Sequence, residues 1–152
     1  AKEISAITWS MVNDAQGNLT AEIILLDSAS KGKNGGRVIP MAKVLREALE
    51  THKNNSKNTE PHHRIIQTER ASKTSAQVIV NIFQKWFSDM GYEGCSSHSG
   101  RRTFITNAAR KITSVGGSLR DVQYLSGHSS LQTTQRYIEG DSEARRKVVD
   151  LI

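Results

Sequence analysis

Within a few turns of helix the C-terminal part of this chain carries two helix-start signals and a stop, and that punctuation limits what it can fold into. Ser118-x-x-Asp121 has the form of a capping pair, after which Leu119, Val122 and Leu125 repeat at helical spacing. Gly127 can take the left-handed conformation that ends a helix, and Ser129 or Ser130 can start the next. Two short helices around a tight junction are therefore expected, with His128 at the junction and Tyr137 displayed by the second helix.

The upstream segments read as a mixture of short strands and helices. Ile4 and Ile7 look like the tail of an amphipathic helix, so the chain is expected to begin inside an element, as a fragment or processed product. Ile7 to Val12 alternates loosely, Asn13-Asp14-Ala15-Gln16-Gly17-Asn18 supplies turn chemistry, and Leu19 to Leu26 follows, which predicts a hairpin. Ser30-Lys31-Gly32-Lys33-Asn34-Gly35-Gly36-Arg37 is a basic, glycine-rich turn before a third short strand at Val38-Ile39-Pro40. Its glycines allow a tight turn that projects Lys31 or Lys33 outward.

Val44, Leu45, Ala48 and Leu49 share one face of a helix from Pro40 to about Thr51. The polar run His52 to His63 reads as a surface loop, and its histidines as surface residues rather than metal ligands. Thr74-x-x-Gln77 resembles a capping box for a helix in which Ile79, Ile82, Phe83, Trp86, Phe87 and Met90 repeat at helical spacing before Gly91, so Trp86 and its neighbours are expected in the core. His98 to about Ile112 predicts another helix, with Phe104, Ile105, Ala108, Ala109 and Ile112 on its apolar side and Arg101, Arg102 and Arg110 outside it. Asp141 is expected to cap a last helix with Ala144, Val148, Leu151 and Ile152 as its stripe.

At 152 residues, 36% of them hydrophobic, the chain fits one domain. No apolar run approaches the roughly 18 residues of a membrane span, and no secretory leader is visible. The single cysteine, Cys95, excludes an internal disulfide and fits a reducing cytoplasm. A net charge of +6 favours polyanionic partners, nucleic acid first. Charge alone supports a solvated basic surface equally well.

The clusters decide between these readings. Displacement at a phosphodiester develops charge on the equatorial oxygens, so catalysis is largely positioning and charge stabilisation. Arg101 can grip two of those oxygens, and His98, about one helical turn earlier, points to the same side. His128 adds a second imidazole. A phenol has an ordinary pKa of about 10, so attack by Tyr137 at neutral pH needs a base or strongly positive surroundings.

His98-Ser99-Gly100-Arg101 with Thr103-Phe104, then Leu125-Ser126-Gly127-His128-Ser129-Ser130, then Thr133-Thr134-Gln135-Arg136-Tyr137 resembles the catalytic domain of tyrosine site-specific recombinases, the phage-type integrases. The match is dense over residues 98 to 138. Glu3, Trp9, the lysine-bearing hairpin and Val38-Ile39-Pro40 extend it over nearly the whole chain.

The resemblance implies that Tyr137 is the nucleophile, forming a 3′-phosphotyrosine link and freeing a 5′-hydroxyl. It implies that Arg101 binds the scissile phosphate, that His98 acts as acid or base, and that His128 contacts the phosphate or orients the nucleophile. Lys31 would protonate the leaving 5′ oxygen, with Lys33 as the alternative. Lys33, Arg37, Arg102 and Arg136 are expected to touch DNA. The partner implied is double-stranded DNA, with self-association on it, in the cytoplasm near the nucleoid; no metal or other cofactor is required. The fold implied is α+β, mainly helical with a small antiparallel sheet of about three strands, residues 1–152 forming the C-terminal catalytic domain.

Four departures accompany the match. The family has another arginine shortly before the position of Glu3, which would fall before Ala1, and its N-terminal DNA-clamping domain has no counterpart here. The stretch from Arg101 to His128 looks longer than usual around Ile112 to Gly117, and Arg102 stands where the family often has His. Competing readings are a non-catalytic DNA-binding module, a DNA topoisomerase, and an RNA-binding basic domain that would leave the Tyr137 cluster unexplained.

Overall fold

Asp14 organises the first turn: its Oδ1 accepts the Gln16 and Asn18 N–H groups at 2.9 and 2.8 Å, and Gly17 takes φ +86°. Those hydrogen bonds, that from Asn18 foremost, hold the Asp14 carboxyl below its ordinary pKa of 3.8. In this computed structural model, which describes residues 1–30, 36–68, 71–138 and 142–151, the chain divides into two compact units, Ala1–Ser97 and His98–Ile152.

The first unit contains α1 (Lys2–Ala6), a 3-10 turn at Trp9–Met11, β1 (Glu22–Leu25), β2 (Arg37–Pro40), α2 (Lys43–Asn55) and α3 (Ala76–Asp89). The expected small antiparallel sheet is present, with two strands among the described residues: Glu22 pairs with Pro40 and Leu25 with Arg37. Leu25 points inward from β1 while Ile24 is exposed, the alternation of a sheet with one covered face.

The hairpin expected from Ile7 to Leu26 does not form as two strands. Trp9 and Ser10 donate their N–H groups to the His63 and Pro61 carbonyls at 3.1 and 2.9 Å, which curls this segment into a 3-10 turn against the distant polar loop. Of the expected ladder there remain an isolated bridge, Asn13 to Leu19, and a Thr20 N–H bond to the Val12 carbonyl.

Trp9, Val12, Leu19 and Ile65 form the main core of this unit, with Ile7, Ile23, Met41, Leu49 and Ile66 packed around them. Met11, Leu25 and Ala29 make a smaller cluster beside α1 residue Ala6. Each buried aliphatic chain contributes roughly 1.5–3 kcal/mol. The Trp9 indole donates to the Asn58 carbonyl at 3.2 Å and its ring stacks on His52, whose Nε2 lies 2.9 Å from the Ile65 carbonyl. His52 thus serves structure.

Helix α3 starts one residue later than expected. Ser75 is the cap, accepting the Val78 N–H at 3.3 Å, because the buried Thr74 hydroxyl donates to the Ile66 carbonyl. Ile79 is buried, but Trp86 and Met90 are 55% and 59% exposed, against the expectation of a core position. Phe83 meets Trp86 edge-on at 5.7 Å and lies over Phe87 at 6.3 Å, and Phe87 meets Tyr92 at 6.4 Å, so these rings cover one another.

The second unit contains α4 (Ser99–Lys111), a 3-10 turn at Ile112–Val115, α5 (Leu119–Ser126), α6 (Leu131–Gln135) and α7 (Ser142–Val149). Helix α5 packs against α4 and α6, and Ile105, Val122, Ser126 and Thr134 are buried. Phe104 is 52% exposed, so the apolar side of α4 is narrower than expected and centres on Ile105. Ser118 starts α5, its N–H and hydroxyl both donating to the Asp121 carboxylate at 2.7 and 2.8 Å. On α7, Val148 and Val149 are exposed, as is Leu151 in the turn after it; Asp141, Ile152 and the Ala144 side chain lie outside the described residues. No helix among the described residues is long and apolar enough to cross a membrane.

Candidate active site

The site is built on the stop signal between α5 and α6. Gly127 takes φ +66° and ψ +33°, and its N–H returns to the Tyr124 carbonyl at 3.0 Å. The next N–H, that of His128, reaches the Gln123 carbonyl at 3.1 Å, and Gln123 Nε2 donates to the His128 carbonyl at 3.1 Å. Both backbone polar groups of His128 are therefore held by one residue of α5, which fixes where the imidazole emerges.

That imidazole is enclosed on two sides. Its Nδ1 lies 3.0 Å from Thr134 Oγ1, and its ring stacks on Tyr137 with centroids 5.4 Å apart and planes 21° from parallel. Burial first, and the positive charge of Arg101 second, push the His128 pKa below its ordinary 6.5. The ring is consequently neutral around pH 7.

Arg101, in the first turn of α4, donates from its guanidinium to the Ser126 carbonyl at the C-terminal end of α5. The last carbonyls of a helix carry partial negative charge, so this end is a natural seat for a cation. Ser126 is itself buried, its hydroxyl donating to the Gln123 carbonyl at 3.0 Å. The guanidinium is thereby tied to the helix that presents His128.

Tyr137 lies two residues beyond the end of α6, in the following turn, rather than on the helix as expected. Five residues suffice for α6 because Ser130 starts it and its register is completed by the turn, in which Tyr137 N–H bonds to the Thr134 carbonyl at 3.1 Å. From α4, Thr106 Oγ1 donates to the Tyr137 carbonyl at 3.3 Å. The phenol is only partly buried and so remains open to an incoming group.

Arg101, His128 and Tyr137 are therefore brought together, and His98 stands at the start of α4, where its backbone carbonyl accepts the Arg102 N–H at 3.0 Å. Arg102 and Arg136 are exposed in the same unit. Arg37 belongs to the other unit, where its guanidinium makes a two-pronged ion pair with Glu3 at 3.1 and 2.9 Å. Lys31 and Lys33 lie outside the described residues. Among the described residues no three His, Cys, Asp or Glu side chains converge as metal ligands.

Residue-type reasoning missed Thr134, Gln123 and Thr106. Thr134 stood within the quoted motif, but nothing in the sequence marks its hydroxyl as aimed at His128. Gln123 and Thr106 act through backbone contacts that leave no compositional trace.

The phage integrase family model matches residues 1–143. The chain belongs to the phage integrase family. Among curated members, tyrosine recombinase XerC of Rhizobium meliloti is 33% identical over 122 residues, covering 78% of this chain and 37% of that protein. XerC of Bacillus subtilis is 32% identical over 126 residues, covering 76% and 39%. The chain spans less than half the length of these relatives.

Solved structures give the same fold at lower identity. The crystal structure of XerA recombinase superposes with a TM-score of 0.71 at 22% identity, covering 98% of this chain and 51% of that one. The Tn1549 transposon integrase, solved in complex with a circular intermediate DNA, gives 0.73 at 17% identity, covering 99% and 54%. The mainly helical architecture with a small antiparallel sheet is thus a phage integrase family fold, in agreement with the motif reading of residues 98 to 138.

Proposed function

We propose that this phage integrase family chain is the catalytic part of a site-specific DNA recombinase that cuts and rejoins duplex DNA through a 3′-phosphotyrosine intermediate. In the cleavage step the Tyr137 oxygen forms a bond to the scissile phosphorus while the bond from phosphorus to the 5′ oxygen breaks. The phenolic proton passes to a base, for which His98 is the candidate, and the leaving 5′ oxygen takes a proton from Lys31, or from Lys33. Rejoining is the reverse, with a 5′-hydroxyl attacking the phosphotyrosine. Arg101 neutralises the non-bridging oxygens, and His128 donates a hydrogen bond to them while its face steadies the phenol.

The observation that carries this reading is the stacking of His128 on Tyr137 at 5.4 Å, with the Arg101 guanidinium bound to the Ser126 carbonyl and its charge felt by His128. A general packing role for the tyrosine would not call for an imidazole stacked on it that in turn feels a guanidinium. The remaining cations, Lys33, Arg102 and Arg136, serve as DNA backbone contacts, and the exposed apolar residues of α7 serve self-association on DNA. The activity belongs in the cytoplasm, where nucleoid DNA is accessible. The test is trapping of a covalent adduct on a nicked duplex by the protein that carries this chain, before and after Tyr137→Phe.

A further inference from the structure

Among the described residues of the second unit Thr134 is the polar residue most completely sealed from solvent, with 0% exposure, and its hydroxyl faces the imidazole of a residue six positions earlier. A Thr within a helix commonly turns its hydroxyl back to a carbonyl of the preceding turn. Here Oγ1 lies 3.0 Å from His128 Nδ1. The contact runs from the loop residue that follows Gly127 to a residue within α6, so it depends on how that loop enters the helix rather than on helix geometry alone.

We infer that Thr134 is a positioning residue: its hydroxyl donates to His128 Nδ1 and holds the imidazole in the neutral form that carries its proton on Nε2. Two arrangements would satisfy the distance. If Nδ1 carried the proton and Thr134 accepted, the hydroxyl hydrogen would need another acceptor in a place closed to water, and Nε2 would offer a bare lone pair. If Thr134 donates, Nδ1 is satisfied and Nε2–H becomes a hydrogen-bond donor. A positively charged ring, with protons on both nitrogens, is disfavoured by burial and by Arg101.

The consequence for chemistry rests on the proposed recombinase reading. An Nε2–H donor suits phosphate oxygens, whereas an Nε2 lone pair would repel them. Gln123 holds the His128 backbone, Tyr137 its ring face and Thr134 its Nδ1, so each supports a different degree of freedom of one side chain.

The experiment is long-range proton–nitrogen correlation NMR of the imidazoles in the nitrogen-15-labelled 152-residue chain, with Thr134→Ser and Thr134→Val beside it. The expected result is the Nε2–H pattern for His128 in the parent chain and in Thr134→Ser, with a loss of that preference in Thr134→Val. An Nδ1–H pattern in the parent chain, or an unchanged pattern in Thr134→Val, overturns the inference; should the valine variant not fold, the parent spectrum decides. In adduct assays with the full protein, Thr134→Val is expected to slow cleavage roughly tenfold, the loss of one oriented hydrogen bond, with DNA affinity unchanged and Thr134→Ser restoring the rate. Equal rates in the two variants overturn its part in catalysis. An Nε2–H pattern together with adducts that survive Tyr137→Phe would leave the tautomer assignment standing and remove the recombinase reading.

Discussion

The His128 imidazole lies face to face with the Tyr137 ring, 5.4 Å between centroids and 21° from parallel, and does not point its nitrogen at the phenol. The histidine that neighbours the nucleophile therefore constrains its plane, while its Nδ1 is committed to Thr134. Removal of the tyrosine proton falls to another group, which is why His98 takes that role in the proposed mechanism. His128→Phe, which retains a ring but no donor, is expected to keep substantial DNA binding and to lower the adduct-forming rate by about 10²-fold, the usual cost of a lost charge-stabilising donor. A loss of binding with an unchanged rate would place His128 in recognition instead.

Arg101 should behave unlike an ordinary surface cation. Arg101→Ala removes both the guanidinium and its hold on the Ser126 carbonyl, so adduct formation should fall by at least about 10²-fold. Lys85→Ala, which removes an exposed partner of Asp89, should change stability by less than about 0.5 kcal/mol and DNA affinity only in a salt-dependent way. Gel-based adduct assays at two salt concentrations separate the two. Equal losses would reduce Arg101 to a generic electrostatic contact.

Arg37 was expected at the DNA, yet its guanidinium is engaged by the Glu3 carboxylate, with side-chain exposures of 15% and 30%. Arg37→Ala leaves that carboxylate partly buried without its partner, which should cost about 1–3 kcal/mol in urea unfolding. The salt dependence of DNA binding should stay close to that of the parent chain. Arg102→Ala, in contrast, should lower the slope of log affinity against log salt by about 0.9 with little effect on stability. The opposite pattern would return Arg37 to the DNA surface.

Much of this was legible in residues whose effect is local. Gly127 imposes its left-handed turn on whatever lies next to it, and Ser130 stands in extended backbone at the start of α6, so the α5 to α6 junction and the position of His128 could be read directly. Trp9 to Met11 could not, because that turn depends on carbonyls of Pro61 and His63, far along the chain. Trp86 has the spacing of a buried residue, but spacing cannot show whether a helix face meets a core or only its own aromatic neighbours. The role of Thr134 was hidden for a related reason: a contact from residue 128, in the loop before α6, to residue 134 within that helix matches no helical period.

Gly36 shows how close the two strands come at the end of their ladder. A Cβ there would sit 2.5 Å from the Leu25 carbonyl oxygen, a backbone atom that cannot step aside. Gly36→Ala should therefore destabilise the chain by about 1–3 kcal/mol. Thermal unfolding monitored by circular dichroism measures it, and a neutral substitution would mean the hairpin can open at that point without loss.

Acid should weaken the second unit through His128. Its folded-state pKa lies below 6.5, so between that value and 6.5 the unfolded chain binds more protons than the folded one. Stability is then fully present above about pH 6.5 and falls as pH drops through this window. Urea unfolding of the parent chain and of His128→Asn at about pH 7.5 and about pH 5.5 should show a smaller acid-induced loss in the variant. An equal loss would assign the acid sensitivity to other groups.

The central claim is that Tyr137 becomes covalently joined to DNA. A nicked duplex whose short 5′-hydroxyl strand diffuses away after cleavage, offered to the protein that carries this chain, should accumulate a denaturant-resistant protein–DNA adduct, with mass spectrometry placing the phosphate on Tyr137. Tyr137→Phe should form none while still binding the duplex. An adduct that persists in Tyr137→Phe, or one mapped to another residue, would contradict the account.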